Sequence, residues 1–284
     1  MARKPRVPST STTTPPPTPY KGPVAKHHLT PLVPMTDTQR AFCAAYESRA
    51  ADAFVLHGVA GTGKTFLALA KALQDILTTP GRRIVLLRSA VPSRDIGFLP
   101  GNEAEKMSAY QKPYLDLCAR LVNHPQGFQK LQQQQLVEFW STSYVRGLTI
   151  DDAVIIVDEC QNMSDMELNS IMTRVGQRST IVFCGDFRQT DLKKSSDLSG
   201  LSEFMQTVAL MPMVAVFEFG LDDMLDQLRS LRKMGSLSSV LGMLPGMGKQ
   251  LKNANVDDAQ LDRVEAIILS MTPQERANPK LING

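Results

Sequence analysis

Eight consecutive residues, Gly58-Val59-Ala60-Gly61-Thr62-Gly63-Lys64-Thr65, fit the pattern G-x-x-x-x-G-K-[ST] at every fixed position. Glycines at these places let a backbone curl around phosphate oxygens without a Cβ in the way. Successive N–H groups at a helix start supply positive potential for the bound anion. Lys64 is placed to reach the β- and γ-phosphates of a nucleotide, and the Thr65 hydroxyl to ligate Mg²⁺. A plain glycine-rich turn has no need of Lys-Thr at the helix start.

Two further groups could share that chemistry. Val154-Ile155-Ile156-Val157 ends in the carboxylates Asp158 and Glu159. Asp158 suits a metal ion held through water, and Glu159 suits orienting or activating an attacking water. Gly185-Asp186-Phe187-Arg188-Gln189 follows another apolar run, and Asp186 and Gln189 are candidates for sensing the γ-phosphate or that water.

These groups need a scaffold that brings them to one edge. Apolar runs predict strands at 53–56, 83–87, 153–157, 180–184 and 214–219. Helical spacing covers 66–77 and stretches near 102–122, 165–175 and 198–210. Continuous Val/Ile/Leu runs alternating with helices predict an α/β fold, a parallel sheet wrapped by crossover helices. In such sheets ligands bind outside the carboxyl ends of the strands, where all three groups fall.

Composition sets the limits around this domain. With 284 residues, 43% of them hydrophobic, there is enough for one sizeable core and an appendage. No apolar run is long enough to span a bilayer, and the basic N-terminus lacks the apolar segment of a secretory signal. Cys43, Cys118, Cys160 and Cys184 stand far apart and read as buried free thiols of a cytoplasmic protein. Residues 1–28 form a Pro/Ser/Thr-rich tail read as disordered. They hold five of the 31 basic residues and none of the 28 acidic ones, so the remainder carries about −2 and has no overall nucleic-acid footprint. The domain proper is read as 29–219. From 220 to 284 methionine becomes frequent, with a Gly- and Met-rich stretch over 234–248 between two helical segments.

At this point the residues resemble a known family, the PhoH-like ATPases, especially their short phage forms. The resemblance covers about 30–219. It runs through Gln39, the loop from Val55 to Thr65, the block Arg88 to Gly101, Glu105-Lys106-Met107, Arg146-Gly147, Val157 to Asn162, Thr173-Arg174-Val175-Gly176 and Gly185-Asp186. It implies a P-loop NTPase core like that of RecA and superfamily 1 helicases, ATP and Mg²⁺ as ligands, and RNA or single-stranded nucleic acid as a partner. It makes Gln39 the adenine-reading residue, and Arg146 and Arg174 candidates for stabilising transition-state charge, in one version across a ring of copies. Either arginine reads equally well as half of a structural ion pair. The same resemblance places the protein in the cytoplasm, that of a bacterial host if phage-encoded.

Residues 220–284 are similar to a different family, the methionine-rich domain of the signal recognition particle protein. The match runs through Asp222 to Arg229, Leu244 to Gly248 and Arg263 to Pro273. In that family such helices hold apolar signal peptides, for which adaptable Met side chains are suited. The RNA-binding helix-turn-helix of that family would follow Gly284 and its GTPase domain has no counterpart, so neither SRP RNA binding nor GTP hydrolysis is expected. A gene fusion, natural or constructed, is the plainest origin. Three functions are thus weighed: an ATPase coupled to nucleic acid, a module that captures apolar helices through the C-terminal segment, and a nucleotide-binding protein with negligible hydrolysis.

Overall fold

Strands buried on both faces should be apolar at every position, and the central ones are. A computed structural model describes residues 20–89, 103–145, 147–186, 203–233, 258–277 and 281–282. Six strands lie in one sheet among these residues: β1 (Ala53–Gly58), β2 (Arg83–Arg88), β3 (Val137–Ser141), β4 (Ala153–Asp158), β5 (Thr180–Gly185) and β6 (Val214–Phe219). Every pairing is parallel, in the order β3-β2-β4-β5-β1-β6. All six carboxyl ends therefore open on one edge.

Alternation along the strands divides the core in two. Phe54, Leu56, Ile84, Leu86, Val154, Ile156 and Val182 face one layer, and Val55, Val85, Leu87, Ile155, Val157, Ile181 and Phe183 the other. The first layer is covered by α1 (Asp37–Glu47), α2 (Lys64–Ile76), α3 (Glu103–Leu121) and α4 (Gly127–Gln133). The second is covered by α5 (Asp165–Met172) and a helix over 203–209. The expected α/β fold is what the chain adopts.

Two differences from the sequence expectation have physical causes. β3 is an added strand, and Val137-Glu138-Phe139-Trp140-Ser141 alternates buried with half-buried positions because it lies on the sheet edge. Its signal is alternation rather than the continuous apolar run that marks the central strands. The helix expected from 66 begins at Lys64, directly on the phosphate-loop sequence. All four cysteines are buried and free, as expected.

Past β6, helix Leu221–Lys233 packs on helix Asp258–Ser270, with Arg229 ion-paired to Glu265 at 3.6 Å. The short helix Pro273–Ala277 is tied back by Arg276 to Asp222 at 2.8 Å. The C-terminal part is therefore helical. The Gly- and Met-rich stretch 234–248 and residues 1–19 of the N-terminal tail lie outside the described residues. No helix among the described residues is long and apolar enough to cross a membrane.

Candidate nucleotide site

The loop between β1 and α2 needs its glycines for two separate reasons. Gly58 has φ +120°, and a Cβ there would lie 2.1 Å from the Phe219 carbonyl oxygen of neighbouring β6. Gly61 and Gly63, at φ +78° and +82°, turn the chain in left-handed geometry that other residues adopt only with strain. Gly63 caps α2 without a side-chain bond, so the first-turn N–H groups stay available to an anion.

Lys64 is 8% exposed, and its Nζ donates to Gly58 O at 2.9 Å and Val59 O at 2.7 Å. Burial pushes its pKa below the ordinary lysine value, against the opposing pull of Asp186, Glu159 and Asp158. The ammonium thus lies within the loop that would surround phosphate, facing carboxylates from two neighbouring strands.

Thr65 Oγ1 donates to Asp158 Oδ1 at 2.7 Å, joining the helix start to the end of β4. The second oxygen, Oδ2, accepts from Tyr114 Oη at 2.6 Å. Tyr114 is fully buried in α3, and burial together with the Asp158 charge drives its phenol pKa far up, so it remains a protonated donor. No motif announces Tyr114, because its partner is 44 residues away in sequence and is found only by packing. A hydrogen bond to a charged group contributes about 1.5–3 kcal/mol. Tyr114→Phe should therefore lower the thermal midpoint by several degrees; an unchanged midpoint would show that the bond does not hold the carboxylate.

Glu159 follows with φ +52°, an uncommon conformation for a residue with a side chain. It starts a short 3₁₀ turn, Cys160–Asn162, and its carboxylate accepts from Gln161 Nε2 at 2.5 Å. The other end of the Gln161 amide accepts from Asp186 N at 3.1 Å. Gln161 so ties the acid after β4 to the acid after β5. Gly185 allows this approach, since a Cβ there would lie 2.6 Å from Cys160 Sγ. Burial, then the Asp158 charge, raises the Glu159 pKa above the usual carboxylate value.

These groups line one cavity of about 460 Å³, bounded by Gly61, Gly63, Lys64, Thr65, Asp158, Glu159, Gln161 and Asp186. A cavity of similar size, about 470 Å³, lies by α1 and α2. Two of its cations are already paired with its two acids, Arg49 with Asp75 at 2.6 Å and Lys71 with Glu47, and it lacks a glycine-rich loop. The hydroxyl of Thr65 and the carboxylate of Asp158 are hard oxygen ligands of the kind Mg²⁺ takes beside substrate phosphates. No group of three or more His, Cys, Asp or Glu suited to a metal occurs among the described residues.

Gln39 lies on α1, 4% exposed, where Thr36 caps the helix. Its Oε1 accepts from Met35 N at 2.7 Å and its Nε2 donates to Thr62 O at 3.2 Å, so it touches the phosphate loop directly. Gln227, on helix Leu221–Lys233, reaches the same loop. A Cβ on Gly63 would meet Gln227 Nε2 at 3.6 Å and Gln39 Nε2 at 3.8 Å. Gln227 Oε1 is buried with no donor among the described residues, a state that costs about 1–3 kcal/mol.

The structure gathers Gln39, residues 58–65, Asp158, Glu159 and Asp186 at one sheet edge. Arg174 does not join them. It follows α5 at the opposite edge, where its carbonyl accepts from Ile150 N at 2.8 Å just before β4 begins. Arg146 and Gln189 lie outside the described residues. Arg88 ends β2 in register with Asp158, its guanidinium 5.5 Å from the Tyr110 ring centroid.

Known proteins share most of this chain's length. The family profile described as PhoH-like protein matches residues 31–231, and that described as signal peptide binding domain matches 202–284. The two share 202–231, which contains Gln227. The PhoH-like protein of Mycobacterium leprae is 40% identical over 136 residues, covering 48% of this chain and 39% of its own length. Protein PhoH of Escherichia coli K12 is 32% identical over 196 residues, covering 68% and 54%. The Bacillus subtilis PhoH-like protein is 34% identical over 160 residues, covering 55% and 50%. The chain thus spans about half the length, or less, of these relatives. Among solved structures, the large terminase of a thermophilic bacteriophage is 11% identical with a TM-score of 0.44, covering 72% of this chain and 52% of that one. The Pif1 helicase of Candida albicans is 17% identical with a TM-score of 0.33, covering 70% and 44%. With the family profile matched from the first helix through the last strand and beyond, the chain belongs to the PhoH-like family.

Proposed function

We propose that the protein binds ATP with Mg²⁺ and hydrolyses it. The observation that carries this is the Thr65–Asp158 hydrogen bond at 2.7 Å beside the buried Lys64 ammonium, which brings loop, metal ligands and positive charge to one place. The loop N–H groups and Lys64 hold the β- and γ-phosphates. Thr65 and Asp158 would hold the metal, which when bound would supply positive charge to the phosphates. Glu159, its pKa raised by burial, takes a proton from or orients the attacking water, and Asp186 N and Gln161 hold the opposite wall. Arg174 fits a catalytic role only across an interface between copies of the chain.

Family membership extends the proposal to coupling with RNA or single-stranded nucleic acid. Phosphate release from ATP with Mg²⁺ should occur and rise on adding single-stranded RNA. Release at one rate with and without RNA would remove the coupling, and no release from any nucleoside triphosphate would remove the hydrolysis. A second reading, capture of apolar helices, is favoured by the signal peptide binding match and by the exposure of Ile267 and Leu269. Its deletion test has to start after residue 233, because Gln227 packs beside Gly63 of the phosphate loop.

A further inference from the structure

We propose that residues 20–30 form an acid-released strap, held across the ends of α3 and α4 by His28 and His124 only while both imidazoles are neutral. Three of the chain's four histidines meet there, His27, His28 and His124. His28 stacks flat on Tyr20 with ring centroids 3.6 Å apart, and His124 meets the same ring edge-on at 4.9 Å. Lys130 of α4 lies over it at 5.1 Å. The strap is tied to the helices along its length. Val24, 4% exposed, donates its N–H to Gln134 Oε1 at 2.8 Å, and Lys130 Nζ donates to Gly22 O at 2.7 Å. Thr30 N donates to Leu121 O at 2.8 Å and Thr30 Oγ1 to Arg120 O at 2.7 Å. From Thr30 the chain runs on into α1, whose Gln39 bonds the phosphate loop, so the strap anchors the chain just before that helix.

The hydrogen bonds of the two rings set their protonation state. His28 Nδ1 accepts from Ala25 N at 3.0 Å, and His124 Nδ1 accepts from Gln126 N at 3.0 Å. An imidazole nitrogen accepts only while unprotonated, and in the imidazolium both nitrogens are donors. A second proton therefore turns each Nδ1 from a partner of an N–H into its opponent. His124 also bonds the Tyr20 backbone, so its other nitrogen is the one that carries hydrogen. The surroundings supply cations but no carboxylate to offset them. Lys21, Lys26 and His27 lie on the strap, Asp116 and Arg120 in the last turns of α3, and Lys130 in α4. Of these, His27 and Lys130 act on His28, together with His124, and Lys130 acts on His124, whereas Asp116 acts on neither ring. Burial first, then these positive charges, hold both imidazoles below the ordinary histidine value. A base held below its free pKa stabilises the strap fully above that free value, and the contribution is lost as pH falls through the bound one.

The test is amide hydrogen exchange of the full chain, with rates corrected for the intrinsic effect of pH and the amides of β4 as internal standard. The Val24 and Thr30 amides should lose protection between about pH 7.5 and about pH 5.5, by about tenfold for each histidine protonated one unit below its free value. His28→Asn combined with His124→Asn puts an acceptor oxygen near each Nδ1 position without a titrating ring, and this variant should keep its protection over the same range. Wild-type protection that does not change with pH overturns the proposal, and needs no variant to fold. Equal loss in β4 overturns it too, since that is unfolding of the whole domain. A double variant that is protected at the higher pH and loses protection on acidification as wild type does also overturns it, because another group is then responsible. If the double variant is unprotected at both values, the ring-proton resonances of the wild-type histidines decide. His28 and His124 titrating in step with the loss of protection support the strap, and the same rings titrating while the strap stays protected overturn it.

Discussion

Lys64→Ala should reduce ATP turnover by about 10²–10³, the effect of removing one preorganised charge partner from a developing oxyanion. The reasoning is electrostatic. The ammonium is 8% exposed in the cavity wall, so little water screens it, and its donors already point along the loop at Gly58 O and Val59 O. Asp158, Glu159 and Asp186 stand close enough to pull its pKa up against burial. Without the lysine, three carboxylates face the phosphates with only the loop N–H groups and the metal to balance them. The apolar clusters do not include Lys64, so the fold should persist. Lys64→Arg should not restore the rate, because a planar fork does not replace a compact ammonium inside the loop. Steady-state phosphate release decides the matter, and turnover unchanged in Lys64→Ala would show that the site is misassigned.

The second large effect is expected from Glu159→Gln, a fall in turnover of about 10²–10⁴, the range for a positioned general base. Nucleotide binding should survive, since the amide keeps the size of the side chain and an oxygen that accepts from Gln161. The raised pKa adds two readouts. The carboxylate form is the active one, so wild-type turnover should climb with pH as Glu159 ionises, and that acid limb should be absent from the residual rate of the variant. Stability has the opposite sign. A carboxyl whose folded pKa is raised contributes stability below its unfolded pKa, and that contribution is lost as pH rises through the folded value. Once pH has risen through that folded value Glu159 contributes none, and there Glu159→Gln should keep or raise the thermal midpoint. A variant that loses activity together with a lower midpoint would mark Glu159 as a structural residue. One that binds ATP as before and turns over at the wild-type rate would leave the site without its base.

Sequence determined the parts of this protein whose signals are local. Gly58 to Thr65 are contiguous, so a strand, a tight turn and a helix start specify the loop within eight residues. The runs at β1, β2, β4 and β5 are apolar at nearly every position because both faces of the sheet are covered, and no distant information is needed to see them. Asp158 and Glu159 are legible because they end such a run. Tertiary structure decided what depends on approach between distant segments. Tyr114 meets Asp158 because α3 crosses the sheet edge, and nothing in its neighbourhood of the chain foretells a partner. Gln161 joins Glu159 to Asp186 only because β5 runs beside β4. Arg174 shares a recognisable block with the site residues yet leaves α5 at the far edge, since a helix that starts above the strands ends below them. Gln227 lies beyond the last strand, in a stretch whose sequence points to another family. Only the packing of its helix beside Gly63 places its amide at the phosphate loop. Secondary structure and phosphate chemistry follow from neighbours along the chain, whereas the partners that complete a buried charge follow from the crossing of elements, which no short stretch of sequence encodes.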